Sequence, residues 1–316
     1  VKLVKSLDAK VPTAVDVDLQ RASIDDLLPG WRKAAGRPGR LTLALVDGEG
    51  YDLRDIALDA GAVAKGTAKF AADGTLREAS FSQFKLSPGD DLRLDVSRNR
   101  NAYRLTVKGN VLDARPFLAM LSDGSGGGAA ADIDLDLAVN ILAGYNDEVI
   151  SNANLKLGRR GKTISDLTLK GRLGSAPISG QLGNKGAIFV ETGNAGSALR
   201  FVDLYKRMAG GSAHLTLTPA GDDLQNGDLT IWDFRIRNDQ GLQRIIAETP
   251  KQGRTGNVAV DPSDISFTKL KVNFTRATGR INIREGVVWG PTVGVSLEGH
   301  LDTARDRLDL SGTYVP

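Results

Sequence analysis

Polar and apolar positions alternate along nearly the whole chain. Segments such as Leu41-Thr-Leu-Ala-Leu45 and Ile133-Asp-Leu-Asp-Leu-Ala-Val139 recur at short, roughly regular intervals, each closed by a Gly, Asn or Asp turn. Period-two alternation gives each segment one apolar and one wet face, the signature of a half-buried strand. The pattern predicts strands over Ala14–Leu19, Leu41–Val46, Leu53–Leu58, Val63–Phe70, Leu76–Leu86, Leu92–Val96 and Tyr103–Leu112. It resumes over Ile133–Ile141, Val149–Leu157, Ile164–Leu173, Ile178–Leu182, Ala187–Glu191, His214–Thr218 and Leu224–Ile236. The last strands are Ile265–Phe274, Gly279–Ile283, Val287–Trp289, Val293–Leu297 and Leu308–Tyr314. Asp47-Gly48, Asp73-Gly74 and Pro88-Gly-Asp90 supply turns.

Helices are few and short. One turn is expected after Ser23, with Asp26 as capping-box partner and Leu27, Leu28 and Trp31 on its apolar side, stopped by Pro29 and Gly30. Others are expected around Arg115–Leu121, near Ala198–Met208 and over Gln240–Glu248. The Gly- and Ala-rich stretch 123–131 reads as a flexible connector between a first β segment, 1–122, and a second, 132–316. Tyr51–Leu58 and Thr163–Leu169 echo each other faintly, as a weak repeat of strand pairs.

About sixteen to twenty such strands side by side at ~4.8 Å would make a sheet roughly 80–95 Å long. A flat open sheet of that length leaves one face wet and ignores the natural twist of strands, so it must curl. The expected fold class is mainly β: a long curled antiparallel sheet forming a U-shaped hydrophobic groove, with a few short helices. A closed solenoid with a packed lumen is the other way to curl.

Composition sharpens this picture. Aromatic residues are only 5% of the chain, so Leu, Ile and Val must line the apolar face. Lys+Arg 41 against Asp+Glu 38, with no long basic run, argues against nucleic acid as a partner. The absence of Cys excludes a thiol nucleophile, a disulfide framework and a Cys-ligated zinc site, and fits an oxidising compartment. No stretch reaches the roughly 18–20 apolar residues of a membrane span, and nothing resembles a signal peptide at the start. The chain reads as a piece of a longer protein.

Candidate chemistry is sparse. His214 and His300 lie far apart on strands without metal or nucleophile spacing and read as surface or core residues. Asp132, Asp134 and Asp136 alternate with apolar residues and read as the solvent face of one strand; Asp16, Asp18 and Asp309 read the same way. Gly126-Gly-Gly lacks a phosphate-loop ending, and no GxSxG elbow occurs. Arg159-Arg160-Gly-Lys162 reads as a basic hairpin tip, and Trp31, Trp232 and Trp289 as core anchors. No catalytic residue, metal or cofactor is expected.

The later part of the chain carries an ordered set of motifs. Gly210-Gly211-Ser-Ala-His-Leu-Thr-Leu precedes Gly227-Asp-Leu-Thr-Ile-Trp-Asp-Phe-Arg-Ile-Arg-Asn238, followed by a short helix with Leu242 and Ile245. Ile265-Ser-Phe-Thr-Lys-Leu, Gly279-Arg-Ile-Asn-Ile-Arg-Glu-Gly286 and Gly299-His-Leu-Asp-Thr-Ala-Arg-Asp-Arg-Leu-Asp-Leu-Ser-Gly-Thr-Tyr-Val-Pro316 complete it. This order resembles the C-terminal region of bacterial AsmA-like envelope proteins, the DUF3971-containing kind related to YhdP and TamB. Leu27-Leu-Pro-Gly-Trp-Arg-Lys-Ala-Ala-Gly-Arg-Pro38 resembles their entry segment. The resemblance implies a periplasmic β-groove whose parent is anchored in the inner membrane. It also implies a non-enzymatic part of a bridge conducting phospholipid acyl chains to the outer membrane, docked at each membrane by parts outside this chain.

Three functions follow: a lipid-conducting groove, a closed β-solenoid scaffolding outer-membrane biogenesis, and a glycan-active β-helix enzyme. The groove reading selects lining residues by alternation. In the first part these are Leu41, Leu43, Leu45, Ile133, Leu135, Leu137, Leu155 and Leu157. Beyond it they are Leu167, Leu169, Leu215, Leu217, Phe267, Val272, Phe274, Ile281, Ile283, Val293, Val295 and Leu297. The helices near 199–208 and 240–248 are expected to plug or rim the trough.

Overall fold

The computed structural model describes residues 1–5, 11–25, 28–123, 131–221, 224–248, 261–291, 294–302, 305 and 307–315. The chain divides into two compact units. The first comprises Val1–Phe117, Gly128–Ala143 and Asn152–Asp166; the second comprises Leu118–Gly127, Gly144–Ser151 and Leu167–Pro316. Both are mainly β, and neither closes into a barrel.

The first unit opens with β1 (Lys2–Val4), β2 (Thr13–Asp18), β3 (Ile24–Asp25), β4 (Arg32–Lys33), β5 (Arg40–Asp47) and β6 (Gly50–Asp59). It continues through β7 (Val63–Ala71), β8 (Leu76–Lys85), β9 (Asp91–Asn99), β10 (Ala102–Asp113) and β11 (Asp132–Ala143). From β5 to β10 each strand pairs antiparallel with the next, and β2 links β1 to β5. Turn chemistry drives these hairpins: Gly74 takes φ +79°, and the Asp73 carboxylate accepts the Thr75 N–H at 2.9 Å. The expected antiparallel sheet is mixed at one place, β10 and β11, which run parallel, Ala102 beside Asp132 through Asp113 beside Ala143. Parallel neighbours need a crossover, and α1 (Arg115–Asp123) lies in it. The expected connector 123–131 falls mostly on residues outside those described.

The one-turn helix expected after Ser23 is also corrected. Ile24–Asp25 pairs with Arg32–Lys33 as a two-stranded sheet, while Asp26 and Leu27 lie outside the described residues. The Ser23 hydroxyl donates to the Asp25 carboxylate, and Gly30 adopts φ +74°. Tertiary burial outweighs local propensity here. Trp31, only 7% exposed, packs on Ala60 and Ala62, and its indole N–H donates to the Ala60 carbonyl at 2.8 Å.

Asp90, 1% exposed, ties the β8–β9 connection to the end of β10. Its Oδ2 accepts the N–H groups of Leu86 and Ser87 at 3.0 and 2.8 Å, and its Oδ1 accepts the N–H of Asp113 at 2.8 Å. The Arg115 guanidinium grips the Asp113 carboxylate at 2.9 and 2.7 Å, which holds the Asp113 carboxyl below its ordinary range.

Strands β12 (Val149–Arg160) and β13 (Thr163–Leu173) contribute residues to both units. The second unit then runs through β14 (Ala176–Leu182), β15 (Ile188–Thr192), α2 (Ala195–Phe201), β16 (Met208–Gly221), β17 (Leu224–Arg237) and α3 (Gln240–Glu248). It ends with β18 (Asp264–Ala277), β19 (Arg280–Trp289), β20 (Gly294–Asp302) and β21 (Arg307–Val315). From β13 onward each strand pairs antiparallel with its successor.

Helix α2 begins earlier than expected because Asn194 caps it: its Oδ1 accepts the Ser197 N–H at 3.1 Å. Arg200 on this helix donates to Glu148 and to the Met208 carbonyl, each at 2.6 Å. Helix α3 has the expected bounds, capped by Asp239, whose Oδ1 accepts the Leu242 N–H at 2.9 Å. Tyr205 donates to Asp239 Oδ2 at 2.8 Å; burial first, then this carboxylate, pushes the phenol pKa up. The core joins Ala195 and Met208 to Ile231, Phe234, Ile265, Phe267 and Val288, with Phe234 and Phe267 stacked at 5.3 Å. Among the described residues no helix is long and apolar enough to cross a membrane.

Candidate functional site

Residues directly opposite one another on paired strands point to the same face, and alternate residues along a strand share that face. In the first unit these two rules join side chains from many strands into apolar rows. One row runs Val17, Leu41, Leu58, Ala64, Phe84, Leu92, Gly109 and Val139. Beside it another runs Leu45, Leu53, Ala68, Ala79, Val96, Leu105 and Leu135. Between them lie Val15 and Leu43 on β2 and β5, then Ile56, Gly66, Phe81, Leu94, Val107 and Leu137.

A bulge keeps the rows in phase. Asp55 takes φ +50°, and the register between β6 and β7 shifts between Leu53 and Ile56. The extra residue lets Leu53 and Ile56, three apart, face the same way. Both then pack in one cluster with Leu41, Leu43, Phe81 and Val96.

The second unit builds the same kind of surface. One row runs Leu169, Gly180, Val190, Leu215, Leu229, Val272, Gly286 and Leu297. Its neighbour runs Leu182, Ile188, Leu217, Gly227, Phe274, Ile283, Gly299 and Leu310. Two glycines in these rows, Gly227 and Gly286, are filled from the side. A Cβ at position 227 would lie 2.1 Å from Phe274 Cζ, and one at 286 would lie 2.5 Å from Leu297 Cδ1.

Most sequence-selected residues therefore share these rows. Leu41, Leu43, Leu45, Leu135 and Leu137 stand on the first face; Leu169, Leu215, Leu217, Val272, Phe274, Ile283 and Leu297 on the second. Ile133 extends the first, opposite Tyr103, and Ile281 the second, opposite Arg276; Val295 stands opposite Val288. Leu155 and Leu157 alternate with exposed Asn154 and Lys156, and Leu167 lies two residues before Leu169. Phe267 lies in the buried cluster with Ala195, Ile231 and Phe234, against which Leu229 and Leu297 of the second unit's first row also pack. Val293 lies outside the described residues.

Their exposure is the telling property. Only Leu137, Phe267 and Val272 of this set are buried, at 4%, 4% and 8% exposed. Every other described member is half-buried. Such side chains touch one another across the sheet yet keep hydrocarbon surface in contact with solvent.

The reverse face is charged and hydrated. Lys69 pairs with Glu78 at 2.6 Å, the Ser80 hydroxyl donates to Asp95 at 2.6 Å, and Arg160 pairs with Asp134 at 2.7 Å. Asp132 accepts the Gly161 N–H at 2.9 Å and Asp136 is exposed, and no group of three metal-ligating side chains occurs among the described residues. The expectation that Trp232 and Trp289 anchor the core is corrected. Both are exposed, at 37% and 43%, and flank Lys269 on neighbouring strands, with the ammonium 5.9 Å from the Trp289 ring.

His214 has an orderly environment. Its Nδ1 faces Glu191 Oε1 at 3.0 Å and its Nε2 faces the Thr216 hydroxyl at 3.3 Å. Hydroxyl, imidazole and carboxylate in series resemble an acyl-transfer relay. The backbone around Thr216 lies within the β15–β16–β17 ladders, however, so the arrangement offers no free donor pair for an oxyanion. His300 lies on β20 opposite Asn282 and Asp309.

Several face residues escaped the sequence reading. Leu92 and Leu94, at 3% and 9% exposed, alternate cleanly with Asp91, Arg93 and Asp95, so their signal was present. Ile56 was hidden by the Asp55 bulge, which breaks the period locally. Arg276, in phase with Val272 and Phe274, becomes visible as a face residue only once the β17–β18–β19 register is known.

No protein-family model, curated protein or solved structure matches the chain.

Proposed function

We propose that the two apolar faces bind the acyl chains of phospholipids, as a non-enzymatic lipid-transfer module. The observation that carries this reading is the run of half-buried Leu, Val, Ile and Phe side chains across consecutive strands. Transfer of hydrocarbon from water to such a surface is worth about 0.8 kcal/mol per CH₂. An acyl chain laid there completes the burial that neighbouring strands leave unfinished.

In this reading the sheet of each unit curls toward its apolar side into a U-section trough. Small residues support that bend: Ala64, Gly66 and Ala68 are β7's contribution to the face, and they relieve crowding on a concave surface. Ala64 and Ala68 are 6% and 5% exposed, and Ala68 packs in one cluster with Leu53, Ile56 and Phe81. An open sheet favours this trough over a closed solenoid. With the resemblance to AsmA-like envelope proteins, the trough reads as a length of a periplasmic bridge between inner and outer membranes.

Native mass spectrometry and organic extraction of the purified chain test the reading. Co-purifying phospholipid, displaced by added lipid of another chain length, is the expected result. A protein that emerges lipid-free and takes up no phospholipid from detergent micelles overturns it.

A further inference from the structure

We infer that Trp232, Lys269 and Trp289 form a binding platform for a carboxylate-bearing glycan on the wet face of the second unit. This goes beyond the acyl-chain reading, since the platform lies on the opposite face of the sheet and takes a different ligand. Lys269 on β18 stands directly opposite both Trp232 on β17 and Trp289 on β19, so the three side chains share one cross-strand row. Their chain neighbours Ile231, Leu270 and Val288 belong to the buried cluster, which turns the row outward. Both indoles are exposed.

Two exposed tryptophans on either side of a lysine are an exception on a hydrated strand face. The paired ladders fix the backbone of the row, and the Lys269 ammonium lies 5.9 Å from the Trp289 ring. Trp232 and Trp289 stand two strand spacings apart, about 10 Å, the span of two successive rings in an extended sugar chain. The negative π-face of an indole meets the polarised C–H groups on the flat side of a sugar.

The surroundings favour a glycan over hydrocarbon. Ser212 on β16 extends the row opposite Trp232, and the adjoining row runs His214, Thr230, Lys271, Val287 and Ser296. Hydroxyl, imidazole and ammonium groups outnumber aliphatic ones there. They match sugar hydroxyls, and an acyl chain laid over them would leave polar atoms unpaired. Lys269 and Lys271 supply the charge complementarity that selects a carboxylate. Of the nearby carboxylates, Glu191 faces His214, and Asp228 and Glu285 lie one row further on, opposite Asn273. Exposed Asp233, next to Trp232 in the chain, can accept from a sugar hydroxyl.

Calorimetric titration of hexagalacturonate and of neutral maltohexaose into wild type, Trp232→Ala, Trp289→Ala and Lys269→Gln tests the inference. Wild type should bind hexagalacturonate at least tenfold more tightly than maltohexaose, and less tightly as salt rises. Either tryptophan variant should weaken hexagalacturonate by about tenfold, the scale of one lost aromatic stacking contact. Lys269→Gln should bring hexagalacturonate down towards the maltohexaose level. Circular dichroism and co-purified phospholipid should stay at wild-type levels in all three variants, which separates this test from that of the acyl-chain reading. Should a tryptophan variant unfold, the selectivity of Lys269→Gln decides alone. No saccharide binding by wild type, or full hexagalacturonate affinity in both tryptophan variants, overturns the inference and leaves the acyl-chain reading intact. Equal binding of the two saccharides by wild type, or an unchanged preference in Lys269→Gln, overturns it as well. Binding to phosphatidylglycerol vesicles that the tryptophan variants lose, with no saccharide bound, would mark a membrane-facing surface instead and likewise overturn it.

Discussion

The ring of Phe274 occupies the place that a side chain at Gly227, directly across from it on β17, would need. An aromatic on one strand thus fills the gap left by a glycine on the next, keeping the apolar row level. Gly227→Ala should displace the ring and destabilise the second unit by about 1–3 kcal/mol, the usual cost of overpacking. Thermal or denaturant unfolding measures it, and Gly227→Ala combined with Phe274→Leu should recover part of the loss.

Charge placed in the middle of a face should abolish lipid uptake and spare the sheet. Leu43→Glu in the first unit and Leu217→Glu in the second each stand in a half-buried row. Their carboxylates can reach water, so circular dichroism should remain β-type while co-purified phospholipid falls several-fold. Unchanged lipid content in both variants would count against the rows as the binding surface.

Trp31 anchors the β3–β4 hairpin through its hydrogen bond to the Ala60 carbonyl. Trp31→Phe keeps an aromatic ring but strands that buried acceptor, a loss of about 1–3 kcal/mol. Trp31→Ala adds a cavity and should cost about 3–5 kcal/mol. Urea unfolding of the pair separates the hydrogen bond from the packing.

Acid should loosen the junction of β10 and α1. The Asp113 carboxyl titrates below its ordinary value of 3.8, chiefly because Arg115 donates to it. A depressed folded-state pKa stabilises the fold in full above the ordinary value, and that contribution is lost as pH falls through the depressed one. Asp113→Asn should therefore lower stability at neutral pH and flatten the dependence of the unfolding midpoint on pH below about 4.

Much of this fold was legible because alternation is local. The bounds of α3 and of most strands follow from residues that are neighbours in sequence, and Leu215 and Leu217 appear on one face without any knowledge of pairing. What stayed hidden depends on distant partners. The short β3–β4 pairing replaced a helix because Ala60 and Ala62 give Trp31 a place to bury. Trp232 and Trp289 carried their own warning, being one residue out of phase with buried Ile231 and Val288. Aromatic size suggested a core role, and phase decided otherwise. The candidate site was half-readable in the same way: its apolar members could be chosen from sequence, but the rows that join them are a product of register.

The parallel joint between β10 and β11 has a kinetic consequence. The antiparallel neighbours from β5 to β10 can zip from a tight turn, each closing a loop of only a few residues. Asn110 and Asn140, whose side chains meet across the parallel pair, are thirty residues apart in the chain. Loop-closure entropy rises with that separation, and non-local pairing slows assembly. Refolding of the first unit should accordingly proceed by rapid hairpin formation up to β10, with β11 docking last. The exposed β10 edge that waits for it is where an intermediate would invite a second chain, making β10 the strand to shield against domain swapping and aggregation.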